Sequence, residues 1–194
     1  MNQKDIIQFF DRCAPGWDAD MVRNENVIET ILNNAGVREE IRVLDVACGT
    51  GVLFPDYEKR RVGELIGIDI SPKMVEIARK KYPEHRILCA DVQQTEFEDK
   101  FDVIMIYNAF PHFPEPELLI RHLSGMLKPD GVLSVAHGMS KEALDRHHEG
   151  AAKEVSLLLP QAETLAAWFT PYLEVTTVIS DERMYQVVGK KTEK

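Results

Sequence analysis

The chain has 194 residues, 44% of them hydrophobic, with 23 Lys and Arg against 32 Asp and Glu for a formal net charge of −9. That length fits a single domain, 1–194, which buries about 70% of its unfolded surface and so builds a substantial core. The negative balance repels a phosphate backbone or an anionic membrane surface, so a small-molecule partner is expected rather than nucleic acid.

The amino terminus, Met1-Asn2-Gln3-Lys4-Asp5, lacks the basic-then-apolar profile of a signal peptide. Ile6, Ile7, Phe9 and Phe10 give residues 4–12 a short amphipathic pattern, which Ala14-Pro15-Gly16 breaks before Trp17-Asp18. The segment reads as a mobile flap or lid. Val27, Ile28, Ile31 and Leu32 mark a second helix ending at Asn33-Asn34-Ala35-Gly36, so residues 1–36 are expected to form an amino-terminal helical cap.

Ile41-Arg42-Val43-Leu44-Asp45-Val46 then runs into Ala47-Cys48-Gly49-Thr50-Gly51. A β-branched run feeding Gly-x-Gly predicts a buried parallel strand that turns sharply into a helix, the arrangement of a nucleotide site. Glycines let the backbone approach a ligand, and the helix start offers N–H groups. Phe54 stands where a dinucleotide fingerprint has its third glycine, which weakens a pyrophosphate reading.

A helix follows from about Val52 to Lys59, with Pro55 in its first turn. Glu64–Asp69 is a second apolar strand ending in an acid, and Ser71-Pro72 opens a helix that runs to about Tyr82-Pro83. Arg86–Asp91 gives a third strand, again with a terminal acid, and Phe101–Tyr107 a fourth. Their continuous rather than alternating apolarity predicts a sheet covered on both faces. A helix from about Glu115 to Leu127 stops at the turn Lys128-Pro129-Asp130-Gly131, before a fifth strand at Val132–His137. Ser140 to Pro160 reads as helical with an interruption at Gly150, and residues 138–160 as a substrate-side insertion. Gln161–Thr170 is a further helix, and Leu173–Ser180 pairs with Met184–Gly189 as a hairpin. No run approaches the roughly 18 apolar residues of a membrane span. Cys13, Cys48 and Cys89 are odd in number and scattered, which points to a reduced, cytoplasmic protein.

In a doubly wound sheet, ligands bind outside the carboxyl ends of the strands. Asp45, Asp69 and Asp91 occupy that edge on three successive strands. An acid at the second strand's end accepts hydrogen bonds from ribose hydroxyls, one after the third accepts from an exocyclic adenine amine, and Asp45 orients the loop or faces a positive charge. A ligand with ribose, adenine and a cation matches this set better than a dinucleotide does, and S-adenosylmethionine is such a ligand. An isolated terminal aspartate is as readily a helix cap; three in succession with a glycine loop favour the ligand.

Val43-Leu44-Asp45-Val46-Ala47-Cys48-Gly49-Thr50-Gly51 closely resembles the glycine motif of the class I S-adenosylmethionine-dependent methyltransferases, particularly those acting on small molecules. Gly67-Ile68-Asp69-Ile70-Ser71-Pro72 is similar to the family's second motif, Cys89-Ala90-Asp91-Val92 to its third, and Leu127–Leu133 to the turn before its fifth strand. The resemblance spans about Ile41 to His137. It implies a doubly wound, mostly parallel α/β sheet of seven strands in the order 3-2-1-4-5-7-6, strand 7 antiparallel, with helices on both faces. It also implies S-adenosyl-L-methionine as cofactor, with Asp69 on the ribose, Ile70 packing on the adenine and Asp91 at its amine. The remaining donor-side residues are Asp45, Ala47, Cys48, Gly49, Gly51, Val92 and Tyr107.

Methyl transfer is an in-line displacement, so alignment and exclusion of water matter more than obligatory acid–base groups. Tyr107-Asn108-Ala109-Phe110-Pro111-His112-Phe113 should lie under the transferring methyl. It departs from the Asn-Pro-Pro-aromatic version seen where amide or base nitrogens are methylated, which counts against DNA, RNA and protein-amide acceptors. His112 and His137, at strand ends, are candidate catalytic proton acceptors from a hydroxyl, since imidazole titrates near pH ~6.5. Solvated or capping roles are the ordinary alternative, and His122 reads as a surface residue. Trp17, Asn108, His112 and His148 are candidate substrate contacts, while adjacent His147 and His148 point about 100° apart on a helix and would not grip one metal; no metal is expected. Phe9–Asp18 is similar to the opening segment of methyltransferases for quinone rings and other lipid-soluble substrates, which implies a small hydrophobic or aromatic acceptor, quinone-like in one version, methylated on oxygen or carbon. A non-catalytic S-adenosylmethionine or S-adenosylhomocysteine binding module and an NAD-dependent oxidoreductase are the rival readings. A monomer or homodimer is expected.

Overall fold

Strands form where the sequence is apolar on both faces, and helices where it is apolar on one. The computed structural model describes residues 2–148 and 152–192. The amino-terminal cap consists of α1 (Gln3–Cys13), a 3-10 turn at Ala14–Gly16, α2 (Trp17–Asp20) and α3 (Glu25–Asn34). The alternating part follows as β1 (Arg42–Val46), α4 (Phe54–Lys59), β2 (Glu64–Asp69), α5 (Pro72–Lys81), β3 (Arg86–Cys89), β4 (Phe101–Tyr107), α6 (Pro116–Gly125) and β5 (Leu127–His137). The chain finishes with α7 (Lys141–His148), α8 (Ala162–Phe169) and the hairpin β6 (Glu174–Ser180) and β7 (Tyr185–Lys190).

These strands form one seven-stranded sheet in the order β3-β2-β1-β4-β5-β7-β6, as expected. The first five pair in parallel, and β7 runs antiparallel to both β5 and β6. Alternation along each strand splits the core in two. Leu44 and Val46 join Ile66, Ile104, Ile106 and Leu133 on the face that α6 and α8 cover. Ile41 and Val43 join Leu65, Val103 and Met105 on the other, under Ile28, Ile31, Leu32, Tyr57 and Val75 of the helices. Strand order reverses between β1 and β4, and the crevice at their carboxyl ends is where such a sheet takes a ligand.

Local signals set the helix starts. The Ser71 hydroxyl accepts the Met74 N–H at 3.2 Å with Pro72 at the first helical position, and Asn24 accepts the Val27 N–H at 3.3 Å.

Three boundaries differ most from the sequence reading. The third strand stops at Cys89, because the Asp91 carboxylate turns back to accept the Gln93 N–H at 2.9 Å and starts a 3-10 turn at Val92–Gln94. Lys128-Pro129-Asp130-Gly131 is not a free turn but part of β5. There Asp130 adopts φ +61°, and Asp130 N–H and Gly131 C=O bond to Lys191 at 2.9 and 2.8 Å. Between Ser140 and Pro160 only α7 and a 3-10 turn at Lys153–Val155 are helical among the described residues, and the break expected at Gly150 lies outside them. Among the described residues no helix is long and apolar enough to cross a membrane.

Candidate active site

Each of the three acids meets a different environment. Asp45, in β1 between Gly67 of β2 and Met105 of β4, is 3% exposed. Among the described residues nothing donates a hydrogen bond to its carboxylate; burial, with the nearby Asp69 charge second, pushes its pKa well above the ordinary carboxylate range. Asp69 is buried but well held: Oδ2 accepts the Gly49 N–H and Oδ1 the Ser71 N–H, both at 2.8 Å. Burial raises its pKa and those bonds oppose the rise. Asp69 therefore staples the glycine loop to the start of α5, a role the sequence reading missed, and each oxygen keeps a second lone pair for ribose hydroxyls. Asp91 is half-buried; its Oδ2 accepts from the side chains of Gln3 at 2.9 Å and Gln94 at 3.0 Å.

The loop between β1 and α4 is built on left-handed backbone, with φ +53° at Ala47, +56° at Gly49 and +83° at Gly51. At Gly51 a Cβ would fall 2.7 Å from the Tyr82 ring, so both conformation and space require glycine. Cys48 is buried with its thiol against Gly67, and burial raises its pKa, which suits packing rather than reactivity. The loop offers fewer N–H groups than expected: Cys48 donates to Ile68 O, Gly49 to Asp69 and Gly51 to Cys48 O.

The amino-terminal cap lies across all three motifs. Gln3 bonds Asp91, Asp11 accepts the Ser71 hydroxyl at 2.6 Å and the Lys73 N–H at 3.1 Å, and Asp18 accepts the Thr50 hydroxyl at 2.5 Å and pairs with Lys81 at 2.8 Å. Ile70 packs against a small cluster of Ile6, Phe9, Phe10, Ala152 and Val155, so α1 bridges the donor motifs and the 152–156 segment. Val92 is buried in the main core beneath them.

At the end of β4, Tyr107 sets its hydroxyl against Gly138, and Asn108, at φ +54°, accepts the Gly138 N–H at 2.9 Å. Burial raises the Tyr107 pKa. His112 is half-buried in a 3-10 turn; its Nδ1 lies 2.8 Å from Val155 O and 3.2 Å from Ser156 Oγ, and its ring meets Phe10 edge to face at 4.8 Å. A carbonyl only accepts, so the neutral ring carries its proton on Nδ1 and its basic lone pair on Nε2. His137 is fully buried and edge-on to Tyr185 at 6.0 Å, which gives it no surface to present to an incoming acceptor in this conformation. His122 is not a plain surface residue: its Nε2 reaches Val92 O at 3.0 Å and Thr95 O at 3.2 Å, tying α6 to the third motif. His148 is the last residue of α7, and its side chain lies outside the described part of the structure.

This sheet order, glycine loop and row of edge acids define the Rossmann-like class I methyltransferase fold. Residues 44–135 match the family model for a methyltransferase domain. The matching domain model and the solved structures that share this fold are of class I S-adenosylmethionine-dependent methyltransferases. It is 31% identical over 146 residues to a malonyl-[acyl-carrier protein] O-methyltransferase of Acetivibrio thermocellus, covering 69% of this chain and 50% of that protein. It is also 31% identical over 150 residues to a ubiquinone biosynthesis O-methyltransferase of Actinobacillus pleuropneumoniae, covering 69% and 63%. The chain thus spans between half and two thirds of these relatives. Its fold resembles that of the N-methyltransferase NodS of Bradyrhizobium japonicum in complex with S-adenosyl-L-homocysteine, with a TM-score of 0.76 at 16% identity over 97% of this chain and 99% of that one.

S-adenosylmethionine is the cofactor of this family, and the residues present fit it. The buried carboxylate of Asp45 lacks a donor, which a cationic ligand supplies, and the bare backbone at Gly49 leaves room for close approach.

Proposed function

We propose that the protein transfers a methyl group from S-adenosylmethionine to a hydroxyl or activated carbon of a small hydrophobic or aromatic metabolite. The observation that carries this reading is Asp45, a buried carboxylate without a hydrogen-bond donor at the carboxyl edge of β1. When bound, the sulfonium supplies an electrophilic methyl group. The protein's part is to hold and orient: Asp69 and Asp91 receive ribose and adenine, Ile70 and Val92 flank the base, and Ala47 to Gly51 with Tyr107 shape the remainder.

On the other side, Phe9, Phe10, Trp17 and His112 offer an apolar, largely aromatic wall, which suits a hydrophobic acceptor and excludes water. The Nδ1–H bond to Val155 O orients His112 so that Nε2 takes the proton of an acceptor hydroxyl. Asn108, which accepts the Gly138 N–H, borders the approach, and His137 supports the end of β5. The kinship with O- and C-methyltransferases of quinone and acyl-carrier substrates favours the same acceptor classes. The free thiols Cys13, Cys48 and Cys89 suit a reducing compartment, the cytoplasm.

Incubation of the protein and methyl-labelled S-adenosylmethionine with fractionated metabolites, read by mass spectrometry, tests this. Label should enter an organic-extractable product, and His112→Gln should abolish transfer while S-adenosylmethionine still binds. Label in a polar product would refute the acceptor class, and undiminished transfer by the variant would refute the role of His112.

A further inference from the structure

The amino-acid tail of the donor carries a carboxylate, and the glycine loop has little to offer it. The N–H groups of Cys48, Gly49 and Gly51 are all taken by Ile68 O, Asp69 and Cys48 O. Asp45, on the same loop's strand, repels an anion once it is ionised. These three N–H groups are therefore not open to a carboxylate, and a donor from another segment would serve it.

Trp17 stands where such a donor is needed. A Cβ built at Gly49 would lie 3.9 Å from Trp17 Nε1, so the indole N–H edge, rather than the far side of the ring, borders the bare backbone of the loop. Among the described residues this N–H has no hydrogen-bond acceptor. Its position is fixed on both sides. The Phe10 ring packs against the indole at 5.8 Å, and the next residue, Asp18, is tied to Thr50 of the loop and to Lys81. Because Lys81 and Thr50 already engage Asp18, that acid is compensated rather than a free charge beside the indole.

We infer that Trp17 Nε1–H is the hydrogen-bond donor for the carboxylate of the methyl donor's amino-acid tail. The inference rests on the donor reading above and moves Trp17 from the acceptor to the donor side of the site. One consequence is that the amino-terminal cap takes part in binding the cofactor through a single polar atom, and its other contacts, from Gln3 and Asp11, serve to hold that atom in place.

Calorimetric titration of the full chain with S-adenosylhomocysteine and with 5′-methylthioadenosine, which lacks the amino-acid tail, tests the pairing. Trp17→Phe keeps a ring and deletes the N–H. It should weaken S-adenosylhomocysteine about tenfold, as expected for a hydrogen bond to a charged group, and leave 5′-methylthioadenosine unchanged. Equal weakening of both ligands would reduce Trp17 to packing and overturn the proposal, as would no weakening of either. A second reading needs only the unaltered protein: the Trp17 indole ¹H–¹⁵N resonance should move downfield with S-adenosylhomocysteine and stay with 5′-methylthioadenosine. An indole resonance indifferent to both would overturn the assignment. If neither compound binds the unaltered protein, the donor reading itself falls, which is a different result from a pairing that fails while binding persists.

Discussion

Asp45→Asn should stabilise the ligand-free protein and weaken its grip on the methyl donor. The side chain is 3% exposed, among the described residues nothing donates to it, and the nearby charge is another carboxylate, Asp69. A buried polar group left without a partner costs about 1–3 kcal/mol, more when charged. A gain of about 2 kcal/mol corresponds to a rise in Tm of about 4–8 °C for a chain of this size. The pH dependence fixes the cause. The folded-state pKa lies above the unfolded one, so well below pH 4 the carboxyl is protonated in both states and carries no penalty, and near pH 4 the penalty is still small. As pH rises the unfolded chain releases the proton first, and the penalty grows until the folded group ionises too. The advantage of the Asn variant should therefore be small near pH 4 and largest at alkaline pH. With saturating S-adenosylmethionine the order reverses, because a donor at about 100 times its Kd adds about 2.7 kcal/mol to the unaltered protein and less to the variant. Differential scanning fluorimetry across pH 4–9, with and without donor, reads all of this. A variant no more stable than the parent at pH 8, or one equally stabilised by the donor, would refute the idea that Asp45 is held for a cation.

Asp69→Ala should abolish the donor-induced thermal shift and also lower Tm, since the Gly49 and Ser71 N–H groups lose their acceptor at about 1–3 kcal/mol; a retained shift would refute the ribose role. Gly51→Ala forces a side chain into φ +83° and against Tyr82, and should cost about 1–3 kcal/mol in urea unfolding, whereas an unchanged midpoint would mean the loop relaxes freely. Gln186→Ala deletes a buried carboxamide that bonds Ile31 O at 3.0 Å, Ser134 at 3.1 Å and Asn34 at 2.9 Å, and should lower stability by about 2 kcal/mol without touching donor affinity. Gln3→Ala should speed amide exchange along α1, and unchanged exchange would show that the tie to Asp91 does not hold that helix down.

The parallel core of the fold was legible because its strands are apolar on both faces and end in acids, a pattern that survives without knowledge of any contact. The bounds of β4 agree with that reading, and the order of the whole sheet agrees with what the family resemblance implied. What the sequence hid is mostly polar and long-range. Nothing local marks Gln186 as a buried bridge to Ile31, 155 residues away, or His122 as a tie to Val92 and Thr95. The role of Asp69 as acceptor for the glycine loop is likewise a contact between segments. Lys128-Pro129-Asp130-Gly131 has every local mark of a turn, and becomes strand only because Lys191 returns to pair with it. At the proposed donor site, the edge position of the acids and the glycine turn were readable from spacing. That Asp45 lacks a donor, and that Trp17 borders Gly49, depended on how the amino-terminal cap folds across the loop.

Calorimetric titration with S-adenosylmethionine tests the central claim most directly. The account predicts saturable one-to-one binding that tightens as pH rises and Asp45 ionises, is displaced by S-adenosylhomocysteine, and is indifferent to NADH. No binding at millimolar donor, or binding displaced by NADH, would contradict it.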